Sequence, residues 1–173
     1  MKLLTLVLVV SACSNAADPS VDAFVGPHDT IGGIDAAIDA PPITGPLRIV
    51  VLDEVAASET PDWFEIVNAT TGSIQLSDFV YVDAAGDFTK AKAFAAMTLG
   101  PGGRFVQDVD DTTSGFKLAS DEELWIYRAS DHALSDGVDW AQGDSPAGMS
   151  FARSPDVFGP FVTGAPSKGT PNP

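Results

Sequence analysis

From Leu47 onward the chain falls into short apolar runs of strand length, each closed by turn-forming residues. Leu47-Arg48-Ile49-Val50-Val51-Leu52 is apolar and β-branched, bracketed by Pro46 and by Asp53-Glu54. Trp63-Phe64-Glu65-Ile66-Val67 follows and stops at the turn-rich stretch from Asn68 to Gly72. Ile74-Gln75-Leu76 and Phe79-Val80-Tyr81-Val82 come next, parted by Ser77-Asp78, and residues 84–87 read as a turn. Phe94 to Leu99 is apolar and runs into Gly100-Pro101-Gly102-Gly103. Arg104 to Gln107, the alternation at Phe116 and Leu118, Leu124 to Tyr127, Gly137 to Trp140 and Phe151 to Arg153 complete the set, with Asp131 to Asp136 predicted as a hairpin turn. Turn signals every ~8–12 residues predict an all-β sandwich or barrel. Lys90 to Met97, rich in alanine, is the one window past the N-terminus that also suits a helix. Phe158 to Pro173 is rich in Gly and Pro and is expected to wrap the surface in extended form.

Strand periodicity assigns directions to side chains. Phe64 and Ile66 alternate with Glu65 and are expected to face the core, while Trp63 points to the opposite face and packs under a neighbouring loop. A fully buried aromatic of this kind contributes ~1.5–3 kcal/mol. Glu65 has two readings, a bond to the backbone of a neighbouring loop or a solvated strand position. Phe79 and Trp125 are further structural aromatics, and Gly102 and Gly103 are expected to supply positive φ in a tight turn.

The first 46 residues have a different pattern. Lys2 precedes a short apolar run, Leu3 to Val10, and the small residues Ser11-Ala12 lead to Cys13, the only cysteine of the 173 residues. That order is the grammar of a secretory signal. A membrane span needs ~20 apolar residues, and polar Ser14-Asn15 closes this run far sooner. Val10-Ser11-Ala12-Cys13 resembles the lipobox of bacterial lipoproteins. The resemblance implies a signal peptide over residues 1–12, cleavage after Ala12, and diacylglyceryl and acyl (palmitate-type) chains on Cys13 as a membrane anchor. It also implies a cell-envelope location, periplasmic or surface-exposed, and Ser14 fits the outer-membrane sorting rule known for some bacteria. With one cysteine the chain forms no internal disulfide. Residues 13–46 are built from Ala, Asp, Gly, Pro and small apolars, with an echo of Ile34-Asp35-Ala36-Ala37 in Ile38-Asp39-Ala40-Pro41. Such a segment buries too little to offset chain entropy and is expected to be a disordered tether reaching roughly 30 Å.

The order of the pieces in residues 47–173 resembles the lamin-tail domain, an immunoglobulin-like β-sandwich found in nuclear lamins and in secreted or envelope bacterial proteins. The resemblance is carried by Ile49 to Ala57 with Asp53-Glu54, by Asp62-Trp63-Phe64-Glu65-Ile66-Val67-Asn68, and by Leu76-Ser77-Asp78-Phe79. Leu99-Gly100-Pro101-Gly102-Gly103, Phe116 to Tyr127, Arg153-Ser154-Pro155-Asp156 and Gly169-Thr170-Pro171-Asn172 follow in the family's order. Phe79 stands where the family carries tryptophan and Asp78 where it carries glycine.

Charge narrows the partners. The formal net charge is −15; residues 14–46 hold five aspartates and no Lys or Arg, and residues 47–173 hold nineteen acidic and eight scattered basic side chains. A polyanion without a basic patch lacks the counterion-releasing contacts that nucleic-acid binding needs. The two histidines, His28 and His132, are far apart in sequence, and Asp131 is poorly placed to orient His132 in a Ser-His-Asp relay. One lipidated cysteine and two distant histidines leave no zinc ligand set. Gly100 to Gly103 lacks the Lys-Ser/Thr of a phosphate loop. Asp108, Asp110 and Asp111 gather oxygen ligands in one loop and are a candidate calcium site, although Thr113 and Ala119 stand where a helix-loop-helix motif needs Gly and Glu.

The expectation is a lipid-anchored, non-enzymatic envelope protein that displays a lamin-tail-like sandwich (residues 47–173) as a binding or structural module. No cofactor is expected. The partners would be the membrane through Cys13 and an envelope protein or polysaccharide, with no nucleic acid. Calcium-dependent adhesion through the Asp108 to Asp111 loop, and an accessory unit of an envelope hydrolase, are the alternatives.

Overall fold

The computed structural model describes residues 45–112 and 114–173. The expected signal peptide, Cys13, His28 and the expected tether up to residue 44 lie outside the described residues. The described fold is nearly all β, with two antiparallel sheets packed as a sandwich.

The larger sheet has the order β11-β10-β1-β2-β7, built from Phe161–Gly164 (β11), Ser150–Arg153 (β10), Val50–Ala56 (β1), Asp62–Asn68 (β2) and Arg104–Val109 (β7). The facing sheet has the order β5-β4-β8-β9, built from Lys92–Ala93 (β5), Phe79–Val82 (β4), Glu122–Arg128 (β8) and Leu134–Trp140 (β9). A minor ribbon pairs Ile74–Gln75 (β3) with Thr98–Leu99 (β6).

The inner faces meet in one apolar core. Val50, Leu52, Val55, Phe64, Ile66 and Val109 come from the larger sheet, and Phe79, Tyr81, Leu124, Ile126, Val138 and Trp140 from the smaller. Phe64 contacts the rings of Tyr81 (5.2 Å) and Phe94 (6.1 Å) edge-on, an arrangement that favours aromatic pairs beyond their buried area. Phe64 and Ile66 face this core as their alternation predicts, and Trp63 lies on the other face, 4% exposed, with the Lys168 ammonium 5.0 Å above its ring.

Four local expectations need correction. Phe116 and Leu118 form no strand; both are core anchors dropped in from a connecting loop. Lys90 to Met97 is not helical, because Lys92–Ala93 pairs with β4 and its alanines sit at a sheet edge. Leu76 belongs to a 3₁₀ turn, Leu76–Asp78. The hairpin turn before Gly137 ends earlier, since β9 begins at Leu134 and Ser135 and Asp136 are buried within it. Their side chains do work that turn residues would not. Ser135 Oγ accepts from the Val50 amide and donates to the Val50 carbonyl (2.8 Å each), and Asp136 accepts from the Leu52 amide (3.0 Å). They bridge β9 to β1, which pairs with β10 only from Glu54 onward.

Candidate functional site

The densest chemistry lies on the outer face of the larger sheet. Strand β1 pairs Leu52 with Ile66 and then Glu54 with Glu65, so a bulge inserts Asp53. The bulge shifts the alternation: Val50 and Leu52 point inward before it, Val55 after it. Two consecutive acids, Asp53 and Glu54, thereby bond to groups outside the core. Glu65 on β2 joins them, and all three are fully buried.

Arg104, the first residue of β7, neutralises this face. Its Nη1 donates to Asp53 and to Glu65 at 2.6 Å each, and its Nη2 pairs with Asp156. The side chain is 12% exposed, which makes these bonds largely desolvated and charge-assisted. Arg153 works beside it, donating to the Leu52 carbonyl (2.7 Å), the Gly159 carbonyl (3.0 Å) and Asp136 (3.0 Å).

The segments on either side of β11, residues 154–160 and 165–173, form a strap across this face. The Val157 amide donates to Asp53 (2.8 Å), the Ser167 amide to Glu54 (2.9 Å) and the Gly169 amide to Glu65 (2.5 Å). Asn172 donates from its side chain to the Asp53 carbonyl (3.0 Å) and from its amide to Asp156 (2.9 Å). Of the two readings of Glu65, the backbone bond is the one the fold adopts.

The cluster holds more negative than positive charge, which sets its proton affinities. Burial pushes Asp53 above the ordinary carboxylate range, and the bond from Arg104 only partly opposes it. Burial raises Glu65 in the same way, against Arg104 and the Gly169 amide. Asp156 goes the other way: burial would lift it, but the Asn172 amide and Arg104 outweigh that and hold it low. Burial also works against the charge of Arg104, yet Glu65, Asp53 and Asp156 together raise its pKa. These groups clamp the strap.

The acidic loop of the candidate calcium site is arranged differently. Asp108 pairs with Lys168 (3.0 Å), Asp111 with Lys117 (3.2 Å), and Asp110 accepts from the amide and hydroxyl of Thr112. The three carboxylates serve separate partners, and no group of three or more His, Cys, Asp or Glu able to hold a metal ion is found among the described residues. Beside the loop is a cleft of about 430 Å³ lined by Asp62, Asp110, Asp111 and Lys117 among others. Asp62 is spent inside the fold, accepting from the Leu118 and Glu59 amides.

Comparison with known proteins adds nothing to this geometry. No family model, curated protein or solved structure matches the chain.

The remaining structural residues act as follows. Asn68 ties the turn after β6 to β2: its side chain donates to the Leu99 and Gly100 carbonyls, and its carbonyl accepts from the Gly102 amide (2.9 Å). Gly102 has φ +67°, as expected. Gly103 does not have positive φ; it is required for a close approach, because a Cβ there would lie 2.8 Å from the Gly100 carbonyl oxygen and 3.0 Å from Leu99. Phe79 is buried in the core. Trp125 lies across Gly137, where a Cβ would come within 2.0 Å of the indole, and its N–H is the one buried side-chain polar atom without a partner among the described residues. His132 is an exposed turn residue stacked on Phe88 at 3.8 Å between ring centres, and Asp131 bonds Arg128 instead of the imidazole.

Sequence reasoning missed the cluster as a unit. Asp53-Glu54, Glu65, Asp156 and Asn172 each lie in a separate motif piece, and Arg104 in none. The available signal was the two acids closing a strand-length apolar run, a costly placement unless something pairs with them.

Proposed function

We propose that the chain is a non-enzymatic, lipid-anchored display protein of a bacterial cell envelope. Cys13 carries the acyl anchor, residues 13–46 are the tether, and a lamin-tail-like, immunoglobulin-type sandwich is the binding body. One observation carries the reading of the body. Residues from four dispersed motif pieces, Asp53-Glu54, Glu65, Asp156, and Gly169 with Asn172, converge in one network between the larger sheet and the strap. A shared role in holding the strap would explain why those residue types recur in that order. The buried acids of the body are engaged in bonds that hold the strap to the sheet, which favours a rigid module that binds.

Anchoring is tested by fractionation. Cys13→Ala is expected to move the protein from the membrane to the soluble fraction, because the apolar run before it is too short to hold a bilayer alone. Continued membrane attachment of that variant refutes the anchor.

A further inference from the structure

Strand β11 closes one side of the larger sheet, and its outer backbone is open. The Ser154 amide donates to the Pro160 carbonyl (3.0 Å), which marks Ser154 and Pro160 as a hydrogen-bonded pair of the antiparallel ladder. Such pairs recur every second residue, so Val162 and Gly164 also turn their peptide groups toward β10. Phe161 and Thr163 therefore turn theirs away from the sheet, and no hydrogen bond among the described residues uses them. An open row of this kind is a template for a further strand.

The side chains along this edge suit an apolar visitor. Phe161 folds inward, stacked on Phe151 at 5.2 Å with the Arg153 guanidinium 4.4 Å from its ring. Val162 faces the other way and is 44% exposed. It borders a cleft of about 240 Å³ that Ala152, Ser154, Ala165 and Pro173 also line. Phe158, just before the strand, is 80% exposed. Two of the three large apolar side chains exposed among the described residues thus flank this edge; β7, at the opposite edge, carries none.

We infer that β11 is a docking edge for an extended, basic polypeptide segment, which adds as an antiparallel strand and sets an aliphatic side chain beside Val162. The backbone row supplies affinity and the cleft supplies selectivity, the usual division in strand addition. Charge decides the occupant: a body with nineteen acidic and eight basic side chains attracts a Lys-bearing segment and repels a second copy of itself. Pro160 and Pro166 bracket the open row, which confines the added ladder to Phe161 through Thr163 and makes the side-chain contacts decisive. The inference rests on the reading of the body as a binding module, and is independent of the anchor, which fractionation alone decides.

The test is an amide NMR titration of the full chain with the capped peptide Lys-Val-Thr-Val-Lys-Val-Lys, with a Glu-for-Lys version as control. Shifts are expected to concentrate on residues 161–165 and Ala152, with no response to the Glu peptide. Thr163→Pro deletes the outward amide while leaving the β10 ladder intact, and is expected to weaken binding by at least about tenfold in a folded protein; Thr163→Ala, which loses only the hydroxyl bond to the Asp144 carbonyl, is expected to bind normally. Val162→Arg, which keeps the backbone and fills the mouth of the cleft, should weaken it as well. The inference is overturned by equal binding to a folded Thr163→Pro, by shifts centred on the Asp108 to Asp111 cleft, by no shifts at millimolar peptide, or by peptide-free self-association that Thr163→Pro abolishes. That last outcome would make a second copy the occupant.

Discussion

The two faces of the larger sheet are both buried, and by opposite means. The inner face buries Val50, Leu52, Phe64 and Ile66 against the second sheet, through non-directional apolar contact. The outer face buries Asp53, Glu54 and Glu65 beneath a strap held by directed hydrogen bonds from Arg104, Val157, Ser167, Gly169 and Asn172. An apolar core tolerates imperfect partners, whereas a buried carboxylate that loses its partner keeps the whole cost of desolvation. The inner face holds the sandwich together, and the outer face decides where the strap lies.

The largest effects come from cutting each face at its centre. Arg104→Met leaves Asp53 and Glu65 buried without their cation and is expected to cost about 3–5 kcal/mol near neutral pH. Phe64→Ala is expected to cost a similar amount, about 3–5 kcal/mol, by opening a cavity beside Tyr81 and Phe94. Denaturant melts at two pH values separate the causes. The Arg104→Met penalty should shrink in acid, where the orphaned carboxylates take up protons, and the Phe64→Ala penalty should stay constant. Equal pH response in both variants would show that the outer face is not held by charge.

A smaller effect is expected from Asn172→Ala, about 1–3 kcal/mol, since it removes the side-chain bond to the Asp53 carbonyl. Hydrogen exchange should quicken at Val157, Ser167 and Gly169 and stay slow at Phe64 and Ile66. Exchange that quickens equally on both faces would mean that strap and core unfold as one unit.

The mildest test is the pH profile of the intact protein. Asp53 and Glu65 stand above their ordinary values of 3.8 and 4.5 in the fold, so the folded state binds more protons than the unfolded one. Their contribution is full below those values and is lost as pH rises through the raised pKa. Asp156 stands below 3.8, so its contribution is present above that value and is lost as pH falls through its lowered pKa. Thermal stability is expected to peak in mild acid, near the ordinary carboxylate values, and to decline toward neutrality. A melting temperature that climbs steadily to pH 7 would contradict the raised proton affinity of Asp53 and Glu65.

How much was legible follows from what each residue responds to. The strands β2, β4 and β8 and the directions of Trp63, Phe64 and Ile66 are set by period-two alternation, which neighbours in sequence express directly. Phe116 and Leu118 imitate that alternation, but their burial comes from the loop that carries them into the core. Asp131 to Asp136 contains turn-forming residue types, yet Ser135 and Asp136 serve the open amides of β1, more than eighty residues away in the chain. Gly103 is read from its neighbours as a flexible turn residue, and its actual constraint is the space left by Leu99 and Gly100.

By itself, then, the order of apolar and polar residues determined an all-β body, the inward face of its central strands, and an N-terminal region unlike the rest in composition. Tertiary structure alone decided that a bulge at Asp53 would place two consecutive acids on one face, and that Arg104 would meet them there. It alone decided that Val157 and the stretch from Ser167 to Asn172 would lie over them and that β11 would leave an edge open. The physical reason is range: hydrophobic periodicity repeats within a few residues, while a buried charge is satisfied only by partners that folding brings together from distant parts of the chain.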